Sequence, residues 1–131
     1  MGRRSSIEIG GLKHKNPIPA ACRMDNVVAS GLISGVDPAT GELGASLRQQ
    51  AEHMFAQMQR ILAAAGATPE DVVKVNVWMR DRGQRNEINP AWLAMFPDEA
   101  SRPARQTMQV DLEPGRLVQC DFLAVIGSAR S

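Results

Sequence analysis

The sequence contains no tyrosine, and aromatic residues make up only 4% of it. Little is therefore available to stack nucleobases. Charge of either sign is not in excess: Lys and Arg number 15 against 14 Asp and Glu, a formal net charge of +1. No global field recruits nucleic acid or acidic membranes. The two cysteines, Cys22 and Cys120, lie far apart without a CxxC pair, so reduced thiols in a cytoplasm are expected rather than a disulfide framework. Neither histidine, His14 or His53, has a carboxylate or cysteine neighbour at ligand spacing, so no metal site is expected. There is no GxSxG elbow, GxGxxG turn or P-loop. No apolar run approaches a membrane span, and the segment MGRRSSIEIG lacks the apolar stretch of a secretory signal. A cytoplasmic protein with no membrane association follows as the expectation.

What is present is the make-up of one soluble domain: 131 residues, 44% hydrophobic and 22% charged. Residues 1–15 read as an arm, disordered to Ser6, with a short edge strand at Ile7-Glu8-Ile9 and a solvated basic cluster at Lys13-His14-Lys15. The domain proper is expected over 16–128, with 129–131 as a tail. Ala20–Met24 and Val27–Ser30, joined at Asp25-Asn26, predict a hairpin. Asp37-Pro38-Ala39-Thr40-Gly41 is a turn. Ser46 and Gln49 form a capping box ahead of Leu47, Ala51, Met54, Phe55, Met58, Ile61, Leu62 and Ala65, which keep helical spacing until Gly66. His53 falls on the opposite face with Gln49, Gln50 and Gln57, where it is solvated.

Val72–Met79 predicts a strand with Val73, Val75, Val77 and Met79 on the core face and Lys74, Asn76 and Trp78 on the other. A second helix carries Ile88, Trp92, Met95 and Phe96, with Asn89 as cap and Pro90 in its first turn. Ser101–Val125 then reads as a hairpin around Glu113-Pro114-Gly115. The order β, ββ, α, β, α, ββ is that of an α+β domain, a mixed sheet with two helices on one face. The other face, with Trp78, Leu117 and Leu123, is too apolar for exposure, so a homo-oligomer is expected.

If the hairpin's apolar faces meet the core together, Arg105, Thr107, Gln119 and Asp121 emerge together on the other side. A guanidinium fork matches a carboxylate, and Asp121 can position or deprotonate water. The same pair also fits a structural ion pair or two solvated charges. Cys120, on an apolar strand face, reads as an inert packed thiol.

The order and spacing of several segments carry a resemblance. They are Val27-Val28-Ala29-Ser30-Gly31, Asp37-Pro38-Ala39-Thr40-Gly41, Ile61-Leu62-Ala63-Ala64-Ala65-Gly66, Asp71-Val72-Val73-Lys74-Val75, Arg102-Pro103-Ala104-Arg105 and the closing Val118–Val125 run. Over nearly everything after residue 15 the chain resembles the RidA/YjgF family of small imine/enamine deaminases. The resemblance implies a chorismate-mutase-like α+β fold and a homotrimer with clefts between subunits. It further implies cofactor-independent hydrolysis of 2-imino or enamine acids to 2-oxo acids and ammonia. Arg105 takes the place of the arginine that holds the substrate carboxylate, and Asp121 that of the acid that holds water. Asn89 falls on the family's helix asparagine, and backbone groups near Ser30, Gly31 and Thr107 would line the cleft. Two departures stand out. The family's Gly-Pro-Tyr-Ser loop is here Asn16-Pro17-Ile18-Pro19-Ala20, and Asp121 is one methylene shorter than the family's usual Glu. Both point away from the smallest 2-imino acids toward a larger or more oxidised acid, as in the related 2-aminomuconate deaminases. A non-catalytic trimer that binds a 2-oxo acid is the competing expectation. The ribonuclease or translation-inhibitor role attached to the family fits the near-neutral charge and scarce aromatics poorly.

Overall fold

The computed structural model describes residues 3–11 and 16–127. Lys13-His14-Lys15 and the 129–131 tail lie outside the described residues. The strands are β1 (Arg4–Ile7), β2 (Ala21–Met24), β3 (Val27–Ser30), β4 (Ile33–Ser34), β5 (Val72–Met79), β6 (Ala104–Gln109) and β7 (Val118–Val125). They form one mixed sheet in the order β1-β2-β3-β7-β5-β6, with β4 also pairing with β7. Helices α1 (Leu47–Ala64) and α2 (Asn89–Met95) cover one face, the expected α+β arrangement. No helix among the described residues is long and apolar enough to cross a membrane.

The first helix forms where its periodicity requires. The Ser46 side chain accepts from the Gln49 backbone N–H at 3.1 Å, while Gln49 reaches back to the Ala45 N–H. Gly66 closes the helix with φ +80, a conformation that costs other residues a Cβ clash. Ala51, Met54, Met58 and Ile61 are fully buried against Val75, Val77, Cys120 and Phe122 of the sheet. Gln50 and Gln57, expected in solvent, are buried instead. Gln50 donates to the Gly44 and Gly115 carbonyls and accepts from the Leu117 N–H; Gln57 donates to the Val36 carbonyl. They satisfy loop backbone that the helix covers and that water cannot reach. The helix backbone comes so close to the loop that a Cβ on Gly35 would stand 2.5 Å from Gln50.

Three further expectations are corrected. The arm is not disordered to Ser6: Arg4–Ile7 pairs antiparallel with Ala21–Met24, so the first strand precedes the Ile7-Glu8-Ile9 alternation. On β5 a register shift between Val72 and Lys74 buries Val72 and leaves Val73 48% exposed. Asn89 lies within the helix at φ −60, because 3₁₀ turns over Arg82–Ile88 start the helical path earlier, at the Asp81 cap. Pro90 keeps its place in the first turn.

The largest correction concerns Ser101–Val125. Its two strands are not a hairpin, since β5 lies between them, parallel to β6 and antiparallel to β7. The turn itself is real: Gly115 has φ +85 and the Arg116 N–H bonds the Glu113 carbonyl at 3.0 Å. Its arms straddle the end of β5, where Arg80 donates to the Leu112, Glu113 and Arg116 carbonyls. A reversal sets direction and leaves adjacency open. The 3₁₀ turns and α2 form the crossover that a parallel β5–β6 pair requires.

Candidate active site

The register determines what each candidate faces. Arg105 is level with Val75 and Phe122, both buried toward the helices, so Arg105 and Thr107 lie on the helix-covered face. Asp121 is level with Asn76 and Gln106 on the open face. The expectation that Arg105, Thr107, Gln119 and Asp121 emerge together is therefore overturned. Inserting β5 between the two strands removes the pairing on which that expectation depended.

On the helix side, Arg105 occupies the sheet's outermost strand, where α2 ends the cover. Its Nη2 donates to Asn89 Oδ1 at 3.0 Å, and its guanidinium lies 5.0 Å from the centroid of Trp92. Trp92 is in turn held by Phe96, centroids 4.7 Å apart, and Phe55, 6.2 Å. The fork is thus oriented by one amide and one aromatic face. Burial first, and the nearby Arg85 second, push the Arg105 pKa below the ordinary arginine value, while the group stays a cation. Among the described residues no carboxylate forms an ion pair with it. A half-buried, oriented guanidinium without a carboxylate partner has the chemistry to accept an anion. Thr107 follows on the same face of β6, half-buried.

On the open side, both oxygens of Asp121 accept hydrogen bonds, Oδ1 from Asn76 Nδ2 at 2.9 Å and Oδ2 from Trp78 Nε1 at 2.7 Å. Neutral donors fix the carboxylate without a cation, and each oxygen keeps acceptor capacity. Beside it lies a cavity of about 410 Å3 lined by Ser30, Gly31, Leu32, Trp78 and Gln119. The cavity wall comes from a bulge. The register slips between Ala29↔Leu123 and Ile33↔Cys120, leaving Ser30, Gly31 and Leu32 opposite Asp121 and Phe122. The Ser30 hydroxyl fills the broken ladder by accepting from the Phe122 N–H at 2.9 Å. The Gly31 N–H is already given to the Ala20 carbonyl at 2.9 Å. Next to Asp121, the Cys120 thiol is wholly buried, and its pKa is raised well above the ordinary value by burial first and by the Asp121 charge second.

The six candidates therefore fall into two groups on opposite faces, each a candidate half-site. Arg105, Asn89 and Thr107 make one; Asp121, Ser30 and Gly31 make the other. Sequence reasoning missed their supports. Trp92 was counted only with the core, although its ring also seats the guanidinium. Trp78 and Asn76 were placed on the correct face, but Asp121 becomes their partner only through the β5–β7 pairing. Arg85 carried no sequence signal.

Comparison with known proteins is decisive for the family. The sequence model of the endoribonuclease L-PSP family matches residues 16–126. The chain belongs to the RidA/YjgF family. It is 29% identical over 117 residues to a RutC family protein of Aquifex aeolicus, covering 85% of this chain and 94% of that one. It is 33% identical over 85 residues to the 2-iminobutanoate/2-iminopropanoate deaminase of Escherichia coli, 64% of this chain and 66% of the relative. The Arabidopsis thaliana protein Reactive Intermediate Deaminase A is 32% identical over 99 residues, which span 75% of this chain and 52% of its own length. Among solved structures, RidA of an Antarctic Psychrobacter superposes with a TM-score of 0.84 at 29% identity, covering 93% of this chain and 99% of the other. Reactive-intermediate deaminases are thus part of the RidA family to which this chain belongs.

Proposed function

We propose that this RidA-family chain is a cofactor-independent deaminase that hydrolyses the imine or enamine of a carboxylic acid to the 2-oxo acid and ammonia. The observation that carries the reading is Arg105: a cation half-withdrawn from water, aimed by Asn89 and Trp92 and lacking a carboxylate partner among the described residues. The substrate carboxylate takes that place, bound bidentately. Water adds to the imine carbon to form a carbinolamine; a proton passes to nitrogen, the C–N bond breaks, and ammonia leaves as the carbonyl forms. Asp121, fixed by Trp78 and Asn76, holds the water and carries the proton between oxygen and nitrogen. An iminium carbon is already electrophilic, so positioning supplies much of the rate.

Because the half-sites lie on opposite faces, the reading requires a second subunit. Its open face, carrying Asp121, covers the Arg105 edge of its neighbour, as in the homotrimer with inter-subunit clefts that the family resemblance implies. Two features support this arrangement. Among the described residues β6 is an unpaired edge of the sheet, and the open face exposes Val27, Leu123 and Val125 to about 40%.

The test is release of ammonia or oxo acid from an imine made in situ by an amino-acid oxidase, with enamine acids including 2-aminomuconate as a second set. Wild-type rates no higher than those of Arg105→Ala would sink the proposal. That each Asp121 oxygen already accepts one hydrogen bond favours one alternative, a non-catalytic trimer binding a 2-oxo acid. Saturable binding without turnover on any imine would establish that instead.

A further inference from the structure

The turn that leads into α2 runs along β6, tied to it at both ends. The Arg82 backbone N–H donates to Gln109 Oε1 at 3.0 Å, and Asn89 accepts from Arg105 at 3.0 Å. Gln109, Thr107 and Arg105 alternate down the strand on one face. Arg85 lies between the two ties, near enough to Arg105 for the two like charges to be felt.

The acids of this turn are engaged elsewhere. Asp81 caps the turn by accepting from the Gly83 N–H at 2.9 Å, and Glu87 is held by Arg48 at 2.8 Å. Arg85 itself is exposed and, among the described residues, donates only to its own turn, Nη1 to the Arg82 carbonyl at 3.2 Å. Among the described residues neither Arg85 nor Arg105 is in an ion pair. Two cations held on one seam, with the local carboxylates turned away, disfavour the empty site and favour a ligand with two separated negative charges.

We propose that Arg85 is a specificity-determining residue that binds a second anionic group, so that the substrate class is an imine or enamine of a dicarboxylic acid. Arg105 takes the carboxylate next to the imine carbon; Arg85, exposed between the two ties, takes the distal one. The inference rests on the deaminase reading above but makes a separate demand, on selectivity rather than on turnover.

Calorimetric binding of 2-oxobutanoate and 2-oxoglutarate measures the product side without catalysis. Hydrolysis of the imines made in situ from alanine and from glutamate measures turnover. The wild type is expected to favour the dicarboxylate in both. Arg85→Gln lowers the dicarboxylate-to-monocarboxylate ratio about tenfold, mainly through KM, and Arg85→Lys restores most of it because the charge is kept. An unchanged ratio in Arg85→Gln overturns the proposal, as does a weakened oligomer with unchanged ratio, which would assign Arg85 to a carboxylate of the neighbouring subunit. If wild-type protein binds neither acid and hydrolyses neither imine, the deaminase reading falls too. Monocarboxylate turnover without dicarboxylate preference leaves that reading standing and removes only this inference.

Discussion

Trp78 donates its indole N–H to Asp121 at 2.7 Å, from the strand next to it in the sheet. The bond makes the tryptophan a positioning residue for the candidate acid. Trp78→Phe keeps the ring and removes the donor, so one Asp121 oxygen is released. The expected result is a fall of about tenfold in kcat on imine acids with KM nearly unchanged, read by steady-state kinetics. An equal loss in KM would instead place the ring in substrate binding.

Asn89 and Arg105 act as one unit in the deaminase reading. Arg105→Ala is expected to lower kcat/KM on imine acids by about 100-fold or more, and Asn89→Ala by less, because the Trp92 face still seats the guanidinium. The double variant should lose scarcely more than Arg105→Ala alone. A double-mutant cycle with additive effects would show that the hydrogen bond does not orient the anchor.

Gln50 holds the loop before α1 and the turn after Gly115 together through bonds to Gly44, Gly115 and Leu117. Gln50→Ala leaves that backbone unpaired where water is excluded. The expected cost is about 2 kcal/mol or more, measurable by urea denaturation of the purified protein.

Cys120 gives a pH prediction. Its folded pKa is raised well above the ordinary thiol value, by burial first and by the Asp121 charge second, so the folded thiol keeps its proton where the unfolded one loses it. More protons bound in the folded state means that stability falls as pH rises through and beyond the unfolded value. This contribution is fully present at neutral pH and is lost on the alkaline side. Melting temperature should drop more steeply above pH of about 9 in wild type than in Cys120→Ala, by scanning calorimetry.

The open sheet face gives the last prediction. Leu123→Asp places a charge within the exposed apolar strip of Val27, Leu123 and Val125. If a second subunit covers this strip, sedimentation should show smaller species, and imine hydrolysis should fall with the oligomer. A variant with unchanged sedimentation would argue against an interface there.

By itself the sequence determined the local elements. The apolar period from Leu47 to Ala65, the Ser46 cap and Gly66 placed α1, because helix spacing and terminal chemistry are local. Alternation along Val118–Val125 correctly separated Cys120 and Phe122 from Gln119 and Asp121. The motif order also led to the family, and the residues that carried it include Ser30, Gly31, Arg105 and Asp121 but not Asn89 or Thr107. Partner choice between strands was not written locally. The Glu113-Pro114-Gly115 turn is compatible with a hairpin or with arms separated by a strand, and the parallel β5–β6 crossover selected the second. With β5 inserted, Arg105 shares a face with Val75 and Asp121 shares one with Asn76. Side chains alternate with a period of two, so a strand's neighbour and register set its face relative to every other strand. That single tertiary fact placed the cation and the acid on opposite sides of the sheet.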